Sequence, residues 1–145
     1  MFSKQESKQL RETFWISFGK SFPRKWILYD TKIKDFSFKF YFDTKKAIVV
    51  LDIEDDNLEN RIFYYEKLVA LKNILLTDFL PQAVFEDSCI LDNEKEISRI
   101  SVLKENVSIH NKNTWRETME FFYETMDKFE AFWFEYEDYI KEKEL

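Results

Sequence analysis

Residues 36–53 read Phe36-Ser37-Phe38-Lys39-Phe40-Tyr41-Phe42-Asp43-Thr44-Lys45-Lys46-Ala47-Ile48-Val49-Val50-Leu51-Asp52-Ile53, and this stretch decides the fold. Phenylalanine at every second position from 36 to 42 has the period of a strand with one face on a core. The run from Ala47 to Ile53 is β-branched and aliphatic, as a second strand would be. A turn through Asp43-Thr44-Lys45-Lys46 pairs Phe42 with Ala47, Phe40 with Val49, Phe38 with Leu51 and Phe36 with Ile53. Every phenylalanine then faces an aliphatic residue, and a slip of one position would turn all four away from the core.

Outward from the hairpin the period changes. Upstream, Ser3 and Glu6 form a capping box, so a helix starts near Lys4, with Leu10, Phe14, Trp15 and Phe18 on its apolar face. Gly19 and Pro23 are expected to end it around Phe22. Downstream, Asp56 followed by Glu59 marks a second helix, expected to turn Leu58, Ile62, Tyr65, Leu68, Val69 and Leu75 inward and to run to Phe79, where Pro81 stops it. Residues 83–91 and 96–103 flank the polar turn Asp92-Asn93-Glu94-Lys95 and suggest a second β pair, with weaker alternation. Residues 106–113 read as a short strand or loop. Thr114 with Glu117 is the expected cap of a last, long helix.

In that last helix Trp115, Met119, Phe122, Met126, Phe129, Trp133, Tyr136 and Ile140 recur at 4-3-4-3 spacing and share one stripe. Tyr123, Phe132 and Tyr139 border it, while Glu117, Glu120, Glu124, Asp127, Glu135 and Asp138 occupy the other side. So wide an aromatic face suits a helix laid lengthwise on its own sheet better than a zipper. Phe121 and Phe134, off the stripe, leave a homodimer through the excess aromatic surface as a further expectation.

The order is helix, hairpin, helix, hairpin, helix. It predicts a single α+β domain over 1–145, an antiparallel sheet with helices packed on one face. Aromatic residues make up 19% of the 145 positions, enough apolar surface for one core. The single cysteine, Cys89, excludes an intramolecular disulfide and, with no leader-like run at the N-terminus, points to the cytoplasm. No uncharged apolar run reaches the about 18 residues of a membrane span. The formal charge of −6 is uneven: residues 20–46 hold eight basic and three acidic groups, a local +5 that leaves −11 for the rest. Such a dipole attracts a polyanion or another copy of the chain.

Composition also restricts the chemistry. One glycine, Gly19, is too few for phosphate-cradling loops, dinucleotide fingerprints or nucleophile elbows. His110 is the single histidine, which rules out His-His metal pairs, and a backbone-bonded loop residue is its ordinary reading. Cys89 reads as a small apolar residue rather than a reactive thiol. The carboxylates Asp52, Glu54, Asp55, Asp56 and Glu59 form the one cluster with a catalytic reading. Asp52 and Glu54 at a strand end, with Lys39 on the neighbouring strand, have the make-up of the metal-binding edge of nucleases, where lysine steadies developing charge. Against it stands a simpler reading, in which Asp52 pairs with Lys39 and the following acids serve a helix N-terminus. Lys20, Arg24, Lys25, Trp26, Lys32 and Lys34 mix cations with an aromatic ring as nucleic-acid surfaces do. The simpler reading there is a solvated loop with Trp26 and Tyr29 tucked under the hairpin.

Four stretches carry a family resemblance: Phe14-Trp15-Ile16-Ser17-Phe18-Gly19-Lys20-Ser21-Phe22-Pro23-Arg24-Lys25-Trp26, Lys32-Ile33-Lys34-Asp35-Phe36-Ser37-Phe38-Lys39-Phe40, Tyr64-Tyr65-Glu66-Lys67-Leu68 and Asn111-Lys112-Asn113-Thr114-Trp115. Through them the chain resembles a bacterial family known as domain of unknown function 4268. The resemblance implies a module that longer members carry behind another domain, sometimes one suggestive of nucleases. It brings no functional residues with it.

The sequence thus favours an interaction module without catalysis or cofactor, binding protein or nucleic acid through Lys20, Arg24, Lys25, Trp26, Lys32 and Lys34. The alternative is a metal-dependent nuclease-like enzyme on Asp52, Glu54 and Lys39.

Overall fold

A computed structural model describes residues 2–143. Helix α1 (Lys4–Ser21) is followed by the hairpin β1 (Phe36–Phe42) and β2 (Lys46–Ile53), then α2 (Leu58–Ala70). A short helical turn, α3 (Lys72–Ile74), runs into a π-helical turn at Leu75–Phe79. The second hairpin, β3 (Val84–Ile90) and β4 (Glu96–Glu105), leads through a 3-10 turn (Lys112–Thr114) to α4 (Trp115–Lys141). The sheet is antiparallel with order β1-β2-β4-β3, so β1 and β3 are its edges. This is a mixed α+β architecture. Among the described residues no helix is long and apolar enough to cross a membrane.

The register of the first hairpin is the one its alternation requires: Phe36 opposes Ile53, Phe38 Leu51, Phe40 Val49 and Phe42 Ala47. Asp43 fixes the turn, its carboxylate accepting from the amides of Lys45 (2.7 Å) and Lys46 (2.9 Å). The phenylalanine face meets the helices. Phe36 and Phe38 lie against Trp133, Phe38 also against Phe129, and Phe42 against Phe14. Phe122 of α4 is the hub, with Phe14, Trp15, Phe18, Phe40, Phe42 and Phe121 around it. Of the α4 stripe only Tyr136 is half-buried; the other seven residues are buried.

Helix α1 ends where expected, at Ser21, with Phe22 closing it by donating to the Phe18 carbonyl and Pro23 following. Other local expectations are corrected. The α2 cap is Asn57, which accepts from the Asn60 amide, while Asp55 accepts from Asn57. The buried face of α2 is rotated: Arg61, Tyr64, Tyr65 and Leu68 point in, and Leu58, Ile62 and Val69 are exposed. Arg61 pays for its place inside by bonding Glu96 at 2.6 Å, so the inward stripe contains the one residue an apolar pattern would exclude. Thr114 makes no cap bond to α4; its hydroxyl serves the preceding loop, donating to the Asn111 carbonyl at 2.7 Å.

The opposite sheet face carries Lys39 and Tyr41 from β1, Ile48, Val50 and Asp52 from β2, and Arg99 and Leu103 from β4, as the cross-strand pairs dictate. Val50 and Asp52 are fully shielded from solvent there.

Candidate functional site

The acidic strand end is built around Asp52. The ladder places Arg99 opposite it on β4, and Arg99 reaches Oδ1 through Nε at 2.7 Å and Oδ2 through Nη2 at 3.0 Å. Lys39 approaches Oδ2 at 3.4 Å and Glu54 at 2.5 Å. Burial by itself would lower the Lys39 pKa, but the bond to Glu54 and the charge of Asp52 outweigh it and hold the ammonium above its ordinary value. The Arg99 guanidinium is likewise held firmly charged, first by its bond to Asp52, against the cost of burial. The structure therefore brings Asp52, Glu54 and Lys39 together, and adds Arg99, which nothing local in the sequence announces. Both oxygens that would hold a metal already accept from cations. Asp55 turns to Asn57 and Asn60, Asp56 to Lys95 at 3.5 Å, and among the described residues no three His, Cys, Asp or Glu side chains converge as a cation cage.

The basic segment divides in two. Arg24 donates to Asp127 at 2.5 Å and to Glu130 at 2.8 Å, and its guanidinium lies 4.2 Å from the Trp26 ring centroid. Glu130 is buried and also accepts from the Ile27 amide at 2.7 Å, so one carboxylate of α4 ties down the chain from Arg24 to Ile27. Trp26 packs on Phe40 and Tyr123. Lys32 pairs with Asp30 at 2.6 Å in solvent. Lys20, Lys25 and Lys34 are exposed, and no ion pair involves them among the described residues. Tyr29 is 71% exposed instead of tucked away.

Past these residues runs the outer edge of β1. The Phe38 amide donates to the Leu28 carbonyl at 3.0 Å, away from β2. Antiparallel pairing alternates, so Phe40, two residues on, also turns its N–H and C=O away from β2. Among the described residues neither group has a backbone partner. Farther along, Asp43 faces β2, its amide donating to the Lys46 carbonyl at 3.0 Å, and its carbonyl accepts from the Ile109 amide at 2.9 Å. Beside the open stretch Trp15, Leu28, Tyr29, Phe40 and Tyr41 help line a largely apolar cavity of about 330 Å³.

The remaining reactive types are accounted for locally. His110 bonds the Ser7 hydroxyl through Nε2 at 2.9 Å, and its amide donates to Ser108. Burial pushes the half-buried Cys89 thiol above its ordinary pKa, although Arg99 pulls the other way.

A family model described as Domain of unknown function (DUF4268) matches residues 10–137, and the chain belongs to that family. No curated protein and no solved structure matches it.

Proposed function

We propose that this member of the DUF4268 family is a small non-catalytic interaction module that holds an acidic protein partner against residues 20–34 and the outer edge of β1. The observation that carries it is the division of the basic segment: Lys20, Lys25 and Lys34 stay exposed without ion pairs among the described residues, and Tyr29 of the same segment is exposed as well. In a chain of net charge −6, unpaired cations gathered in one segment favour an acidic partner. The nucleic-acid form of the reading is weaker, because Arg24 and Trp26, the cation and ring best suited to phosphate and base, are spent on each other and on α4. The nuclease reading on Asp52, Glu54 and Lys39 would require a metal to displace Arg99 from both oxygens of Asp52. The lone thiol supports a reducing, cytoplasmic setting. Self-association through aromatic surface has Phe134 and Tyr139 as its exposed rings on α4.

A fluorescein-labelled polyglutamate peptide tests the charge reading. Binding is expected to weaken about tenfold or more between low and high salt, and as much again in the Lys25→Glu, Lys34→Glu double variant. Binding indifferent to both would refute it.

A further inference from the structure

We propose that the outer edge of β1 accepts a short, extended peptide of alternating acidic and apolar residues as an added strand, paired through the backbone of Phe40. This rests on the acidic-partner reading above and deepens it by naming the partner's form.

A sheet edge offers N–H and C=O groups whose best complement is another extended backbone. Here the Phe38 amide is taken by Leu28, and the outward groups of Phe40 and Phe42 have no backbone partner among the described residues. What remains is residues 39–42, about 13 Å at roughly 3.3 Å per residue. That length is too short to propagate sheets between copies and long enough to hold a short strand.

The walls specify the side chains. An added strand projects alternate residues to opposite sides. The cavity beside Phe40 is mostly apolar, with Trp15, Leu28 and the exposed rings of Tyr29 and Tyr41 among its lining, which suits a small aliphatic side chain. The segment whose Leu28 meets Phe38 and whose Trp26 packs on Phe40 also carries Lys25 and Lys34, without ion-pair partners among the described residues, which suits carboxylates on the bound peptide. A flexible polyanion satisfies the charges alone; an extended peptide satisfies charges, cavity and backbone together.

The test is an amide NMR titration of the whole protein with an eight-residue peptide of alternating glutamate and valine. Three controls accompany it: the same peptide N-methylated at alternate amides, polyglutamate, and oligothymidylate. The expected result is a shift and slowed hydrogen exchange at the Phe40 amide, with affinity reduced about tenfold or more by N-methylation and by Tyr29→Glu. Tyr29 is exposed, so that variant leaves the fold intact. Equal binding of the N-methylated peptide and of polyglutamate overturns strand addition while leaving the acidic-partner reading in place. Protection of Phe40 by oligothymidylate and not by the peptide overturns both, as does an unmoved Phe40 amide together with no binding of any acidic peptide.

Discussion

Arg99 grips both carboxylate oxygens of Asp52 across the β2–β4 ladder, at 2.7 and 3.0 Å, in a position where Asp52 has no solvent exposure. Removing one member of such a pair strands the other charge, at a cost of about 3–5 kcal/mol, whereas replacing both by apolar residues is often tolerated. Asp52→Ala should therefore lower the urea midpoint sharply. The double variant Asp52→Leu, Arg99→Met should recover most of the loss, and Glu54→Ala, nearer the rim, should cost under about 1 kcal/mol. If Asp52→Ala left stability untouched, the carboxylate would be free for another task.

Glu130 holds the connection after α1 in place. Its carboxylate receives the Ile27 amide and Arg24, so Glu130→Ala leaves two donors without their acceptor and should cost about 2–3 kcal/mol. Trp26 fluorescence should shift to the red as the segment loosens. Arg24→Ala should likewise destabilise, in contrast to Lys25→Glu, whose effect should be confined to partner binding.

Phe122 touches rings from α1, β1 and α4 itself and is fully buried. Phe122→Ala should cost about 3–5 kcal/mol, since so many rigid rings cannot collapse into the space. Phe134→Ala, on the exposed side of the same helix, should change the melting temperature little.

Stability should fall at acid pH through a few identified groups. The Ser3 amide and hydroxyl hold Glu6 below its ordinary value of 4.5, and Ser88 and Arg61 do the same for Glu96. Burial would raise Asp43, but the Lys45 and Lys46 amides outweigh it and hold it below 3.8. A depressed folded pKa means the contribution is complete above the unfolded value and is lost as pH falls through the folded one, here below about pH 4. Lys39 has the opposite sign: its stabilising share is complete below 10.5 and disappears as pH rises through its raised folded value. Urea midpoints against pH should show both limbs, and Asp43→Asn should flatten the acid one.

What the sequence reveals follows the range of the interactions. The β1–β2 register is legible because four phenylalanines and four aliphatics alternate within eighteen residues, and only one pairing turns them all to the same face. The α4 stripe is legible because its period persists over seven turns. The inward face of α2 is not, since Arg61 enters the core on the strength of Glu96, 35 residues away. Arg24 looks like a free surface cation until its acceptors, 103 and 106 residues on, are brought beside it. Asp52 and Lys39 are close enough in sequence to pair by inspection, but Arg99, the stronger partner, arrives from a different hairpin. Charged side chains are thus misread where their counter-ions are distant in sequence, and apolar periodicity is misread where a paired charge replaces one of its members.

The open edge at Phe40 is what distinguishes an interaction module from a closed scaffold, and amide hydrogen exchange in the free protein measures it residue by residue. Phe38 donates to Leu28, and ladder alternation directs the amides of Lys39 and Tyr41 into β2, so all three should be protected. Phe40 should exchange faster than each of them by orders of magnitude. Protection of Phe40 equal to that of Lys39 and Tyr41 would mean that the edge is already occupied, and would contradict the account.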